Sequence, residues 1–262
     1  MLAVAIPAGL VIGLSLGALG GGGSILTVPA LVYLLHQQPH TATTGSLLIV
    51  GITALAGMIA HRRAGRVRVA QGVAFGILGV AGSYAGTWLS AGVRPGLLLT
   101  LFAVLMLTAA GAMLHRRRDA DGRAAPAPRP RRAASRVVPG GVRIVAAATA
   151  VGLLTGFFGV GGGFVIVPAL VLALGFDMPA AVGTSLLVIT INSAASLAAR
   201  FGGHVHLDWP LLAVFTAAAL AGTVAGNRVA SRVDASRLTT AFAVLLAAVA
   251  LYSLGRSLPG LV

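Results

Sequence analysis

Residues 13–31 read GLSLGALGGGGSILTVPAL, and residues 152–170, 139 positions later, read GLLTGFFGVGGGFVIVPAL. Each copy runs from spaced glycines through a glycine cluster to VPAL. Self-similarity at a fixed interval sets architecture before any single residue is interpreted. Two apolar copies half a chain apart point to the paired halves of a membrane transporter and away from solenoids.

The register extends outward from these stretches. Ser46-Leu47-Leu48 recurs as Ser185-Leu186-Leu187, Gly82 and Gly86 as Gly222 and Gly226, and Phe102-Ala103-Val104-Leu105 as Phe242-Ala243-Val244-Leu245. Five apolar segments fall in the first half, at 2–19, 24–35, 43–60, 69–91 and 96–115. Their counterparts lie at 142–158, 164–174, 181–199, 207–230 and 236–254. The expected fold is an all-α polytopic membrane protein of two homologous repeats. Counting short re-entrant or broken pieces, it has 8–10 helices, with the halves at 1–115 and 142–262.

Composition agrees. Of 262 residues 57% are hydrophobic and 9% charged, and the mean hydropathy is +0.96, against roughly a quarter charged in soluble domains. The net charge of +14 is no nucleic-acid footprint, because the arginines cluster between apolar runs in the positive-inside pattern. Every basic residue is arginine and every acid aspartate, a bias without a physical account. Cysteine is absent, which excludes disulfides and thiolate chemistry. The apolar N-terminus lacks a basic n-region and runs into the repeated element, so it reads as a retained segment.

Between the halves lies an Arg/Pro-rich linker, 116–141, which cannot bury a core and reads as a disordered cytoplasmic segment. Attraction to anionic headgroups is its alternative role. With an odd number of crossings per half, the halves are inverted about a pseudo-two-fold axis and 16 arginines fall inside against 3 outside; an even number gives parallel halves and 15 against 4. The difference hangs on segments 24–35 and 164–174, each about 17 Å of helix at 1.5 Å per residue, too short for a roughly 30 Å hydrocarbon core. Inverted halves are the expected arrangement.

The glycine clusters, Gly20-Gly21-Gly22-Gly23 with Ser24, and Gly159, Gly161, Gly162 and Gly163, carry the chemistry. Glycine lets the backbone leave helical geometry, which at membrane depth is tolerated only where protein or a wet cavity surrounds it. A helix starting after each cluster would aim its free N–H groups and positive dipole end there, making an anion site without a cationic side chain. Close packing is the bland alternative, and it is the preferred reading for the matched GxxxG pairs Gly13/Gly17, Gly152/Gly156, Gly82/Gly86 and Gly222/Gly226.

Thr44 and Ser46, with Thr184 and Ser185 in the other half, open the third segments and are candidate donors to a bound oxyanion, or else bond carbonyls of their own helices. Asn192 joins them as a polar intramembrane residue, with an interhelical hydrogen bond as its alternative. Asp177 and Asp208 lie at segment ends and read as caps. His61, His204 and His206 lie near equivalent interhelical loops, where interface solvation is expected; no third ligand supports a metal. Gly13-Leu14-Ser15-Leu16-Gly17 fits GxSxG but lies in an apolar helix, and Leu154 replaces Ser15 in the second copy. No Walker lysine is present. Neither cofactor nor metal is expected, and no catalytic residue.

The duplicated glycine cluster and VPAL, with Thr184-Ser185 and the slightly departing Gly45-Ser46, resemble the sulfite exporter TauE/SafE family over the whole chain except the linker. The resemblance implies a bacterial inner-membrane carrier of sulfite, sulfonates or related small anions, working by alternating access between its repeats. Its partners would be the small anion and the lipid bilayer, with a homo-oligomer left open and nucleic acid excluded. Export of an anion from a negative cytoplasm gains about 2.3 kcal/mol per charge per 100 mV. An anion channel or a structural subunit of a membrane complex is the alternative. An intramembrane protease would need a paired nucleophile and base, and none falls at matching depth.

Overall fold

The computed structural model of the chain describes residues 2–90, 93, 95–122, 141–158, 163–199 and 207–257. Among these, ten α-helices form and no strand. The first half holds α1 (Leu2–Leu19), α2 (Gly22–Pro29) with a π-helical turn (Ala30–Leu34), α3 (Pro39–Arg63), α4 (Val69–Ser90) and α5 (Pro95–Gly122). The second holds α6 (Gly141–Phe158), α7 (Gly163–Leu172), α8 (Met178–Ala198), α9 (Trp209–Arg232) and α10 (Ala235–Ser257). Each of the ten expected apolar segments therefore has its helix. Five described helices are long and apolar enough to cross a membrane. One expectation is corrected: α5 runs past His115 to Gly122, so the linker opens as helix. Residues 123–140 lie outside the described residues.

The corner after each VPAL is built alike. Pro29 and Pro168 have no N–H to give their helices, and both chains then widen to i→i−5 bonds, Leu35 N–H to Ala30 O (3.2 Å) and Leu174 N–H to Ala169 O (3.3 Å). A still wider i→i−6 bond closes each end, Gln37 N–H to Leu31 O and Phe176 N–H to Leu170 O, both 3.0 Å. The left-handed residue in that cap is Gly175 (φ 69°) in one half and His36 (φ 52°) in the other.

The GxxxG pairs are seams between halves, as expected of close packing. Along α1 the contacts with α9 advance together: Gly9 lies against Phe215 and Ala218, Gly13 against Ala219, Gly17 against Thr223. These two helices run parallel, so close that a Cβ on Gly13 would overlap the Ala219 carbonyl oxygen. The second seam repeats this, with Gly152 of α6 on Gly79 of α4 and Gly156 on Ser83. The first helix of each half thus packs on the fourth helix of the other.

The same registers give direction to the remaining helices. On α3, Gly45 meets Leu212 and Gly57 meets Thr223, so α3 runs with α9; Gly51 meets Ser193 and Gly57 meets Leu186, so α3 runs against α8. Gly72 of α4 meets Thr184 and Leu187, and Gly76 meets Ile191, so α4 runs with α8. Equivalent helices (α1 and α6, α3 and α8, α4 and α9) therefore point in opposite directions.

These directions polarise the bundle. Arg62 and Arg63 at the end of α3, Arg116 and Arg117 on α5, Arg228 and Arg232 near the end of α9 and Arg237 at the start of α10 gather at one end. Exposed Tyr84, Trp88, Trp209 and Tyr252 occupy helix ends that point the other way. Between these ends, Val11, Ile77, Val104 and Val244 are exposed, an outward apolar surface that lipid, not water, would cover. Phe75, Phe164, Phe215 and Phe242 fill the interior.

Candidate functional site

The helix of α1 stops because Gly20 takes a positive φ of 77°, a conformation that penalises any residue with a Cβ. Gly20 N–H still bonds Leu16 O (2.8 Å) and Gly21 N–H bonds Leu19 O (2.9 Å). From Gly22 the chain folds back as α2, with Gly23 pressed on Ile12 and Leu16 of α1. No side chain caps this helix start.

The two glycine-led helices meet at this break. A Cβ on Gly21 would overlap the carbonyl oxygen of Gly163, the first residue of α7, and a Cβ on Gly163 would overlap the Ser24 hydroxyl oxygen. Across the same junction, a Cβ on Gly20 would stand 2.6 Å from the Ser185 Oγ and 2.9 Å from the Val182 Cα. Each half therefore presents a buried serine to a glycine of the other. Gly22 instead points to the tip of Leu245 on α10. Gly159, Gly161 and Gly162 lie outside the described residues.

The hydroxyl protons face inward on their own helices. Ser24 Oγ donates to Gly21 O, Ser46 Oγ to Thr43 O and Ser185 Oγ to Val182 O, each at 2.8 Å. In this arrangement those three protons are not offered to a ligand, which leaves backbone N–H groups as the donors at the break. Thr44 is buried. Thr184 faces away: its Oγ1 accepts from Arg68 N–H at 3.1 Å and its methyl meets Gly72 on α4. Asn192 lies about 10 Å further along α8 than Ser185, at 1.5 Å per residue, beside Gly79, with its Oδ1 buried and without a partner. Thr27, Thr53 and Thr223 are equally buried hydroxyls whose protons go to carbonyls four residues earlier.

Arginines tie the ends together. Arg68 lies over the Phe176 ring, 4.7 Å from its centroid, and Arg116 donates to Val171 O and Leu172 O, the carbonyls at the end of α7. Asp208 caps α9 by accepting from Leu211 N–H at 3.2 Å; Asp177 holds the cap position of α8 without a side-chain bond. Beside Phe164 an apolar crevice of about 350 Å³ opens between α5, α6, α7 and α10.

The expectation of a solvated His61 is corrected. Its side chain is 1% exposed, because the loop after α3 folds over it towards α8. Nε2 lies 3.4 Å from Gly17 O of α1, and Nδ1 is buried without a hydrogen-bond partner. His204 and His206 lie outside the described residues. Among the described residues no group of His, Asp or Glu is arranged to hold a metal.

The sequence profile described as sulfite exporter TauE/SafE matches residues 5–253. A "Probable membrane transporter protein" of Xylella fastidiosa (strain 9a5c) is 35% identical over 266 aligned positions, covering 100% of this chain and 98% of that protein. The Bacillus subtilis (strain 168) "Probable membrane transporter protein YunE" is 30% identical, over 79% of this chain and 81% of its own length. No solved structure matches the chain.

Proposed function

The chain belongs to the sulfite exporter TauE/SafE family and is a multi-pass membrane transporter, and from that premise we propose that it carries sulfite, a sulfonate or a related small anion across the bacterial inner membrane. The anion binds where α2 and α7 begin. The single observation behind this reading is the backbone contact of Gly21 with Gly163, which brings together the N-terminal ends of two short helices from opposite halves. Both dipole ends favour negative charge there.

The opposite directions of equivalent helices favour two inverted halves related by a pseudo-two-fold axis through this contact. The anion site then lies on the axis between the two halves, as in other carriers built of inverted repeats. Alternating access follows if the α1–α9 and α4–α6 seams move as units around it. The arginine-rich end is the cytoplasmic one by the positive-inside rule, which puts the linker there too. Potential then drives the anion outward.

Purified protein in proteoliposomes tests this. Saturable flux of labelled sulfite or sulfonate, inhibited by the unlabelled anion, is the expected result. A flux linear in concentration would indicate a channel, and none for any sulfur oxyanion a structural subunit.

A further inference from the structure

His61 is the one titratable side chain buried among the described residues: Asp177, Asp208, Asp234, His36 and His115 are all exposed. It is enclosed by three elements. Its ring reaches Gly17 O on α1, its Cβ lies 3.1 Å from where a Cβ on Gly183 of α8 would sit, and Arg66 O covers the same glycine at 2.7 Å. Helix α9 passes one turn away, where Thr223 meets both Gly17 and Gly57.

This position adjoins the glycine break on two sides. Gly17 is one turn before Gly20 on α1, and Gly183 follows Val182, whose Cα is against Gly20. A hydrocarbon side chain would fill the same space without leaving a buried nitrogen unpartnered, and an unpaired buried polar group is costly. The exposed Arg62 and Arg63 follow directly on α3, which places the buried ring one residue from the arginine-lined end.

We propose that His61 is a proton-binding residue of the transport cycle, taking up a proton from the arginine-lined end when an anion occupies the adjoining glycine break. The inference rests on the anion site argued above. Imidazole is the side chain whose charge ordinarily changes between about pH 5 and 8, and an imidazolium next to the break supplies the positive charge the site otherwise lacks. Anion and proton then favour each other's binding, reciprocally. The surrounding charges leave this to His61: α1, α4 and α8 carry no titratable side chain facing it. The other charged groups around it are Arg66 in the covering loop, Arg62 and Arg63 on its own helix, and Arg228 and Arg232 beyond Thr223 on α9.

The test uses the full chain in lipid nanodiscs with sodium ethanesulfonate, an anion that does not itself titrate in this range. Histidine-selective nitrogen NMR, with the His61 signal assigned by its loss in His61→Gln and His61→Asn, should show that nitrogen titrating between about pH 5 and 8. Ethanesulfonate should bind the wild type at least roughly tenfold more tightly at the acid end, and less than about twofold more tightly in either variant. A His61 signal that does not move with pH overturns the proposal, and so does a variant that folds and keeps the wild-type pH dependence. A wild type that binds no ethanesulfonate at either pH fails the anion-site reading instead. The titration then decides proton uptake alone, upheld by a shifting signal and overturned by a fixed one.

Discussion

The carbonyl oxygen of Gly163 occupies the position that a Cβ on Gly21 would need. Two halves of one chain meet there main chain to main chain, with no side chain between them. Several consequences can be measured.

Gly21→Ala should reduce anion flux by roughly tenfold or more, a loss equal to about 1.4 kcal/mol, because its clash is with backbone. Gly22→Ala should be tolerated, since its Cβ meets only the tip of Leu245, which can swing aside. Flux in proteoliposomes, with size-exclusion profiles to show folded protein, separates the two. Equal activity in both variants would count against the junction.

Ser24→Ala and Ser185→Ala should each change ethanesulfonate affinity by less than about threefold. A hydrogen bond to a charged group contributes about 1.5–3 kcal/mol, roughly tenfold or more, and these hydroxyl protons already go to Gly21 O and Val182 O. Titration calorimetry on the purified variants gives the answer. A tenfold loss would mean that the serines turn to the anion when it binds.

Gly13→Ala should destabilise the protein by about 1–3 kcal/mol, the usual cost of overpacking, because the new methyl overlaps the Ala219 carbonyl oxygen on α9. Gly111→Ala is the matching control: nothing lies within 4 Å of its added Cβ, and alanine in a helix gains about 0.5–1 kcal/mol over glycine. Thermal unfolding in detergent should move in opposite directions for the two.

His36→Gly should raise the unfolding midpoint. A left-handed conformation costs a residue with a Cβ about 1–2 kcal/mol, His36 has φ 52°, and its repeat counterpart Gly175 already fills this position. A lowered midpoint would show that the His36 side chain contributes more than the strain costs.

Arg232→Cys in this cysteine-free chain should react with an impermeant maleimide from the same side of the membrane as Arg62→Cys, since α9 and α3 run parallel. Labelling from opposite sides would require parallel halves.

The repeat made the helices and their seams legible, because apolar run length and GxxxG spacing are local properties. The partners of those seams are not local. Gly13 and Gly17 announce a helix contact without naming α9, and counting arginines separated the two topologies by a single residue. Direction comes from paired registers such as the advance from Gly9–Phe215 to Gly17–Thr223. At the candidate site, the polar residue types at Ser24, Ser46 and Ser185 were readable, but the commitment of their protons to carbonyls three residues back depends on rotamers. The burial of His61 is hidden for a similar reason: its place beside a loop suggests water, while the fold of that loop onto Gly183 removes it. The helical continuation of α5 through Arg116 and Arg117 is masked in the sequence by an arginine density typical of disordered segments.

The crossed seams also bear on how the molecule is made. Helix α1 leaves the ribosome early, yet the surface that Gly13 and Gly17 fit arrives about 200 residues later with Ala219 and Thr223. Until then the first half sits in lipid with its glycine stripe open, and α4 waits likewise for α6. The seams between the halves therefore close only after α6 and α9 have followed α1 and α4.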